Sequence, residues 1–449
     1  MNITTGNGND IVNVPVYVNG VVSRTGDVIR TNDGDDVINS GLGNTDYIYG
    51  GAGFDRLIID YSVDDRWGGM SLFFDPRGFG IGSANRSLTG TSIPWVDSMQ
   101  FQEIETVTVT GTSKDDTIVT HFGSHTIRAG AGNDFVKGNA GFLDGGTGFD
   151  TLSIDLSAQT ANLNLSNLSN INIANVVTAV NFEQFQIMTG SGNDIVTQSA
   201  LINGFLQRAN DTIYTYGGND VINAGLGQKD YVDGGDGIDH LIVDYSVGDT
   251  GDGMTFFVSS LGGGNVSRKV STGSSIDLDY MFFTRMETYT VTGTSKDDNI
   301  SAGMGNDVLF GGAGNDRLVG GLGADRLTGG SGNDRFEFSS LADSRLGSHD
   351  VITDLEIGKD VIDGPSSMGS QGVAASLIRK LGNVVSLTEA AIQRVLTPQT
   401  FVSNGASTFT FGNRTFVAMN NATAGFSAQT DSVVEITGYR GNLSDLRIM

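Results

Sequence analysis

The 449-residue sequence has no cysteine, only five prolines, four histidines and eight glutamates. Without cysteine there is no disulfide framework, no thiolate metal site and no cysteine nucleophile. The histidines, His121, His125, His240 and His349, form no HExxH pair, which removes a zincin-type centre. No apolar run reaches 18 residues, so nothing reads as a bilayer-spanning helix or as membrane insertion. The amino terminus, MNITTGNGNDIV, has neither the basic nor the apolar part of an ordinary signal peptide, and by itself suggests a cytosolic protein. Basic residues are scarce too. Against 51 Asp and Glu stand 26 Lys and Arg, a net charge of −25, so nucleic acid and anionic membranes are poor partners and divalent cations good ones.

What is abundant is Asp, at 43 residues, and Gly, at 65. That pairing favours turns and oxygen-ligand sites over helix surfaces. Residues 302 to 337 divide without remainder into AGMGNDVLF, GGAGNDRLV, GGLGADRLT and GGSGNDRFE, preceded by GTSKDDNIS. Asp298, Asp307, Asp316, Asp325 and Asp334 recur every nine residues, each followed two positions later by a large apolar residue: Ile300, Leu309, Leu318, Leu327 and Phe336. Glycines allow a tight turn with carbonyl oxygens directed inward. Three residues remain for a short strand with its central side chain in the core. Two nonapeptides then make an 18-residue coil, coils stack as parallel strands about 4.8 Å apart, and aspartates 18 apart lie above one another. A Ca²⁺ between successive turns, held by carboxylates and carbonyls, would convert their repulsion into a fastening.

The same register recurs upstream. Asp10 lies in an initial GNGND; Asp27, Asp36, Asp46 and Asp55 form one run, and Asp211, Asp220, Asp230 and Asp239 repeat it with the same one-residue insertion. Asp116, Asp134, Asp150 and Asp194 belong to the stretches between, where His125 occupies an aspartate position and should weaken or delete one site. DDVINSGLGNTDYIYGGAGFDRLIIDYS, from Asp35, returns 184 residues later, and each copy is followed by an arm of about forty residues. The arms close with an acid eleven residues before the next ladder aspartate, at Glu105, Glu183 and Glu287. Their alternating segments, such as MSLFF and MTFFV, predict strands that widen the roll or project from it, as a partner-binding face or as a thicker core.

These nonapeptides resemble the RTX (repeats-in-toxin) family, whose fold is a calcium-bound parallel β-roll. The resemblance implies multiple Ca²⁺ ions as cofactor. The stretch RFEFSSLADSRLGSHDVITDLEIGKDVID is similar to the end of serralysin-type RTX domains, which makes Asp350, Asp354, Asp360 and Asp363 further candidate ligands. SLTEAAIQRVL predicts one short helix from Ser386, with Glu389 in capping-box position, covering the last coil. From Gln399 the sequence reads as antiparallel strands resembling the terminal domain of cyanobacterial calcium-binding surface proteins, the bluetail proteins. RTX proteins carry an uncleaved carboxyl-terminal signal read by the type I secretion machinery, which overturns the cytosolic expectation in favour of an extracellular or cell-surface location.

The expected fold is all-β: a parallel β-roll or β-helix solenoid with inserted β arms and a small C-terminal antiparallel cap with one short helix. It divides into a first unit over 1–120 with its arm at about 63–103, a second over 121–200 with a shorter arm, and a third over 201–300 with its arm at about 247–285. A regular roll follows over 301–365, then a capping and secretion-signal region over 366–449. An enzyme is not expected. There is no GxSxG elbow, P-loop or dinucleotide fingerprint, the paired acids Asp115/Asp116 and Asp297/Asp298 lie in repeat turns, and the adjacent Ser348, His349 and Asp350 are not a triad by adjacency. Repeats that begin at about Thr5 leave no room for an accompanying enzyme and suggest an uncapped first coil. The leading expectation is an extracellular protein that self-assembles with calcium into a filament, surface layer or matrix. The alternative is a monomeric adhesin or carbohydrate-binding module whose partners are surface glycans.

Overall fold

Each nonapeptide of the strict repeat forms a glycine turn and a strand of three to six residues. The turn reverses the chain, so consecutive strands fall alternately on two facing sheets. Asn299–Ser301, Arg317–Val319 and Arg335–Glu337 pair in parallel on one sheet, and Thr288–Thr292, Val308–Ala313 and Arg326–Ser331 on the other. The apolar residue at the centre of each strand points between the sheets, and Ile300, Leu309, Leu318, Leu327 and Phe336 are fully buried. These relations come from a computed structural model that describes residues 1–449 except 19–20, 65–66, 76–79, 87–96, 122, 200, 203–204, 207, 248–250, 260–261, 272–275, 369–372, 374 and 437. The chain forms two units, residues 1–215 and 216–449, and both follow the all-β roll pattern.

Among the described residues the long arms neither project nor cover a sheet. Each folds as a three-stranded antiparallel meander spliced into the parallel stack. In the first unit Asp97–Gln102 pairs in parallel with Asn44–Tyr49, Gly82–Arg86 pairs antiparallel on either side, and Met70–Phe74 pairs in parallel with Thr117–Val119. In the second, Ile276–Thr284, Gly264–Ser271 and Gly251–Val258 repeat the arrangement between Asp230–Asp233 and Asn299–Ser301. The facing sheet gains no matching strands there, because Arg56–Asp60 pairs directly with Thr106–Thr110, and His240–Asp244 with Thr288–Thr292. The shorter middle arm places its hairpin, Asn170–Ile173 with Val177–Val180, on the opposite sheet, beside Gly141–Thr147.

Extra strands on one sheet leave carbonyls across the core without ladder partners, and a buried carbonyl requires a donor. A fully buried arginine supplies it in both long arms. Arg86 Nη1 donates to the carbonyls of Tyr61 (2.9 Å) and Asp64 (2.8 Å), and Arg268 Nη1 to that of Tyr245 (2.9 Å). Each guanidinium is neutralised by its cross-strand partner, Asp97 or Asp279, and lies over the ring of Tyr61 or Tyr245. Removing one member strands the other charge in a dry core. Asp279→Ala is therefore expected to destabilise the calcium-loaded protein by about 3–5 kcal/mol, read as a lowered denaturant midpoint; an unchanged midpoint would show that water reaches Arg268.

At the carboxyl-terminal end the sheet carrying Arg326–Ser331 continues through Val351–Ile352 to Ser432–Ile436, then antiparallel to Arg414–Met419 and Ala406–Phe411. Arg379–Asn383 adds a parallel edge to this otherwise antiparallel cap. The last coil is covered by Ser432–Ile436 rather than by the helix. That helix is a single turn, Glu389–Ile392, capped by Thr388 without a side-chain bond, and the carboxylate of Glu389 instead accepts the N–H of Ala428 at 2.9 Å. Ile392 packs with Leu396, Phe401, Phe409, Phe416 and Val433 in the core of the cap.

Candidate metal centres

Stacking coils in register brings the ladder aspartates together along the turns. In most of them Oδ1 accepts a backbone N–H from the preceding coil, usually that of the previous ladder aspartate. Asp298 N–H donates to Asp316 and Asp316 N–H to Asp334, at 2.8 and 3.0 Å, and Asp307 N–H donates to Asp325 at 2.8 Å. The same bond joins Asp10 to Asp36, Asp27 to Asp46, Asp36 to Asp55, Asp116 to Asp134, Asp134 to Asp150 and Asp220 to Asp239. Asp194, Asp211 and Asp307 accept the N–H groups of Leu163, Phe185 and Tyr289. Asp230 is buried at the start of its strand. Asp325 and Asp334 pass the bond on to Asp350 and Asp360.

The other carboxylate oxygen defines the chemistry. Oδ2 of Asp36, Asp46, Asp55, Asp134, Asp150, Asp239, Asp307, Asp316, Asp325 and Asp350 is buried with no hydrogen-bond partner. An unpaired buried anionic oxygen is costly, and burial, helped by neighbouring carboxylates, raises nine ladder aspartates, from Asp46 and Asp55 to Asp325 and Asp350, above the usual carboxylate range. Asp46, Asp134 and Asp316 are pushed up to about 7, and Asp307 to about 8. Asp55, Asp150, Asp239 and Asp334 rise to about 6, and Asp325 and Asp350 rise as well. A divalent cation beside Oδ2 would reverse this preference.

The surroundings fit a hard cation. A side-chain carbon on Gly311, Gly320 or Gly329 would overlap Oδ2 of Asp316, Asp325 or Asp334, five residues on. Glycine there keeps open the space that the carboxylate faces. Gly312, Gly321 and Gly330, with φ of 111°, 100° and 101°, approach the carbonyls of Thr294, Gly303 and Gly312 in the coil before. Among the described residues no three carboxylate or imidazole groups form a metal cage. Each centre would thus join a few carboxylate oxygens to several backbone carbonyls, a donor set that suits Ca²⁺.

Not every expected ligand has an open oxygen. The carboxylates of Asp116 and Asp298 take N–H and Oγ1–H from Thr112 and Thr294. Asp27 accepts the terminal amino group of Met1 and the hydroxyl of Thr25. Asp354 accepts the N–H groups of Gly329 and Gly330, Asp360 those of Asp334 and Glu356, and Asp363 pairs with Arg335. His125 keeps the ladder without a carboxylate, its Nδ1 accepting Val107 N–H at 3.2 Å.

Two further features belong to the site without a ladder aspartate. Glu105, Glu183 and Glu287 are ladder members, accepting the N–H groups of Asp55, Asp150 and Asp239 at 2.7, 2.9 and 2.8 Å. Their constant spacing of eleven was the available signal. A second, exposed ladder runs through the residue before each aspartate, where Asp115, Asp297, Asn306 and Asn315 accept N–H groups from the following coil. Its polarity is opposite to that of the buried ladder, so the two together fix the register of the stack.

A family model for the RTX calcium-binding nonapeptide repeat, in four copies, matches residues 24–57, 110–142, 209–241, 290–318 and 310–343. No curated protein matches the chain. RTX nonapeptides bind Ca²⁺ at multiple sites, and proteins that carry them are typically secreted by the type I route. Among the described residues no helix is long and apolar enough to cross a membrane. The repeat model covers the stretches in which the buried carboxylate ladder is most regular, and there the chain carries RTX calcium-binding nonapeptide repeats.

Proposed function

We propose that this is an extracellular structural protein, exported unfolded through type I secretion, that folds on calcium and assembles into a filament, surface layer or matrix. The observation that carries the reading is the row of buried, unpartnered Oδ2 atoms, which makes the folded roll depend on cations. In a calcium-poor cytoplasm the ladder opposes folding; outside, ion binding becomes folding free energy. Assembly is supported by an architecture of stacked strands, whose edges offer unpaired backbone groups to another copy.

One observation favours the second reading, a calcium-dependent adhesin or carbohydrate-binding module. The alternation that buries Met70, Leu72 and Phe74 turns Phe73 outward, and Phe257 is its counterpart; both are about half exposed. In the second unit Phe282 is exposed as well and stacks on Tyr231, with ring centroids 5.8 Å apart. Trp95 lies outside the described residues. Aromatic faces beside polar side chains such as Gln100 and Ser83 are surfaces on which sugars stack.

Calcium titration of chelated protein, followed by light scattering and negative-stain electron microscopy, separates the two. Regular filaments or sheets at saturating calcium are expected. A folded monomer that binds immobilised glycans, and loses them on Phe73→Ala with Phe257→Ala, would replace assembly by adhesion.

A further inference from the structure

In the regular repeat, the glycine five residues before a ladder aspartate faces two oxygens at once. A side-chain carbon on Gly311 would overlap Asp316 Oδ2 and lie 2.6 Å from the carbonyl oxygen of Gly329 in the next coil. Three places interrupt this pattern, where the chain returns from each arm and no glycine turn follows. The same local structure fills all three. Gly50, Gly145 and Gly234 stand five residues before Asp55, Asp150 and Asp239. A side-chain carbon on them would lie 2.6, 3.0 and 2.6 Å from Oδ2 of those aspartates and would overlap the carbonyl oxygens of Glu103, Asn181 and Arg285.

Those three residues adopt left-handed backbone, with φ of 60°, 58° and 53°. For Glu or Arg this conformation costs about 1 kcal/mol or more. Glu, Asn and Arg share no side-chain chemistry, so what recurs is the direction of the carbonyl. Two residues later the arm-closing glutamate enters the ladder. Asp55, Asp150 and Asp239 are fully buried, and each Oδ2 lacks a hydrogen-bond partner. Two such oxygens are within reach of one Ca²⁺, which holds its ligands at about 2.3–2.6 Å.

We infer that each arm closure is a calcium site of its own, formed by the aspartate Oδ2 of the coil before the arm, the carbonyl of the left-handed residue and the arm-closing glutamate. The residues that close these sites, from Glu103 and Glu105 to Arg285 and Glu287, lie outside the stretches matched by the nonapeptide model. The ion would fasten the end of each arm to the coil from which it departed, so that arm and roll order together. This inference rests on the calcium reading of the ladder.

The test uses the full chain with Glu105→Gln, Glu183→Gln and Glu287→Gln, singly and combined. Glutamine retains an oxygen to accept the ladder N–H but loses the charge. Equilibrium dialysis is expected to count one ion fewer in each single variant and three fewer in the triple. Hydrogen exchange at intermediate calcium should show Met70–Phe74 and Gly251–Val258 deprotected while Arg317–Val319 stays protected. If the triple variant does not fold, the one-ion loss in E105Q decides. Glu103→Gly, which keeps the carbonyl and relieves the backbone, should hold the full count; losing an ion there would overturn the carbonyl assignment. A parent that folds with calcium while every glutamine variant keeps the full count would overturn the three sites. A parent that does not bind calcium would instead sink the ladder reading on which they rest.

Discussion

Chelation at neutral pH is expected to turn the strand-rich circular dichroism of the calcium-loaded chain into that of a disordered one, and excess calcium to restore it. The size of the effect follows from the number of sites. A site filled at a hundredfold excess over its dissociation constant contributes about 2.7 kcal/mol, and extracellular calcium modules typically bind at about 10⁻⁴ to 10⁻³ M. A handful of such sites matches the entire stability of an ordinary domain, about 5–15 kcal/mol. Withdrawal of calcium also leaves the ladder carboxylates buried without a counter-charge, so the metal-free fold has little stability of its own to fall back on. The C-terminal cap, with its own apolar core around Phe401, Phe409 and Phe416, should be the last part to lose protection. Strand content unchanged by chelation would mean that packing alone holds the roll.

Acidification of the chelated chain is expected to work in the opposite direction and bring strand structure back. Asp46, Asp134 and Asp316 rise from 3.8 to about 7 in the metal-free fold, and Asp307 to about 8. Each binds its proton more tightly when folded than when unfolded. The stability this contributes is fully present below about pH 4 and is lost as pH rises through 6 to 8. At neutral pH the metal-free fold must therefore carry charges that burial opposes, whereas near pH 5 most of these carboxyls are neutral. Protons and calcium occupy the same oxygens of the folded chain, whereas the unfolded aspartates, near 3.8, bind neither in this range, so the calcium midpoint for folding should move to lower concentration as pH falls from 8 to 6. Circular dichroism of dilute protein across pH 5 to 8, with chelator and with calcium, measures both trends. A chelated chain that gains structure as pH rises would contradict the assignment of the buried oxygens.

The interval of nine determined much of this molecule from the sequence alone. It placed Leu309, Leu318 and Leu327 in the core, put Asp298, Asp316 and Asp334 above one another, and alternated the strands between two sheets, because a repeated local geometry propagates by stacking. Tertiary structure decided what lies between the repeats. Nothing near Met70 or Ile276 states that each arm enters the sheet as a meander, since those strands choose partners dozens of residues away, at a sheet edge that exists only once the coil is built. The buried Arg86–Asp97 and Arg268–Asp279 pairs follow from that splice, where an arginine and not a facing strand meets the carbonyls of Tyr61 and Tyr245. Glu105, Glu183 and Glu287 carry a regular spacing but stand outside any glycine nonapeptide. Their place in the ladder was fixed by where the returning chain meets Asp55, Asp150 and Asp239, a contact made in three dimensions between residues 50, 33 and 48 positions apart.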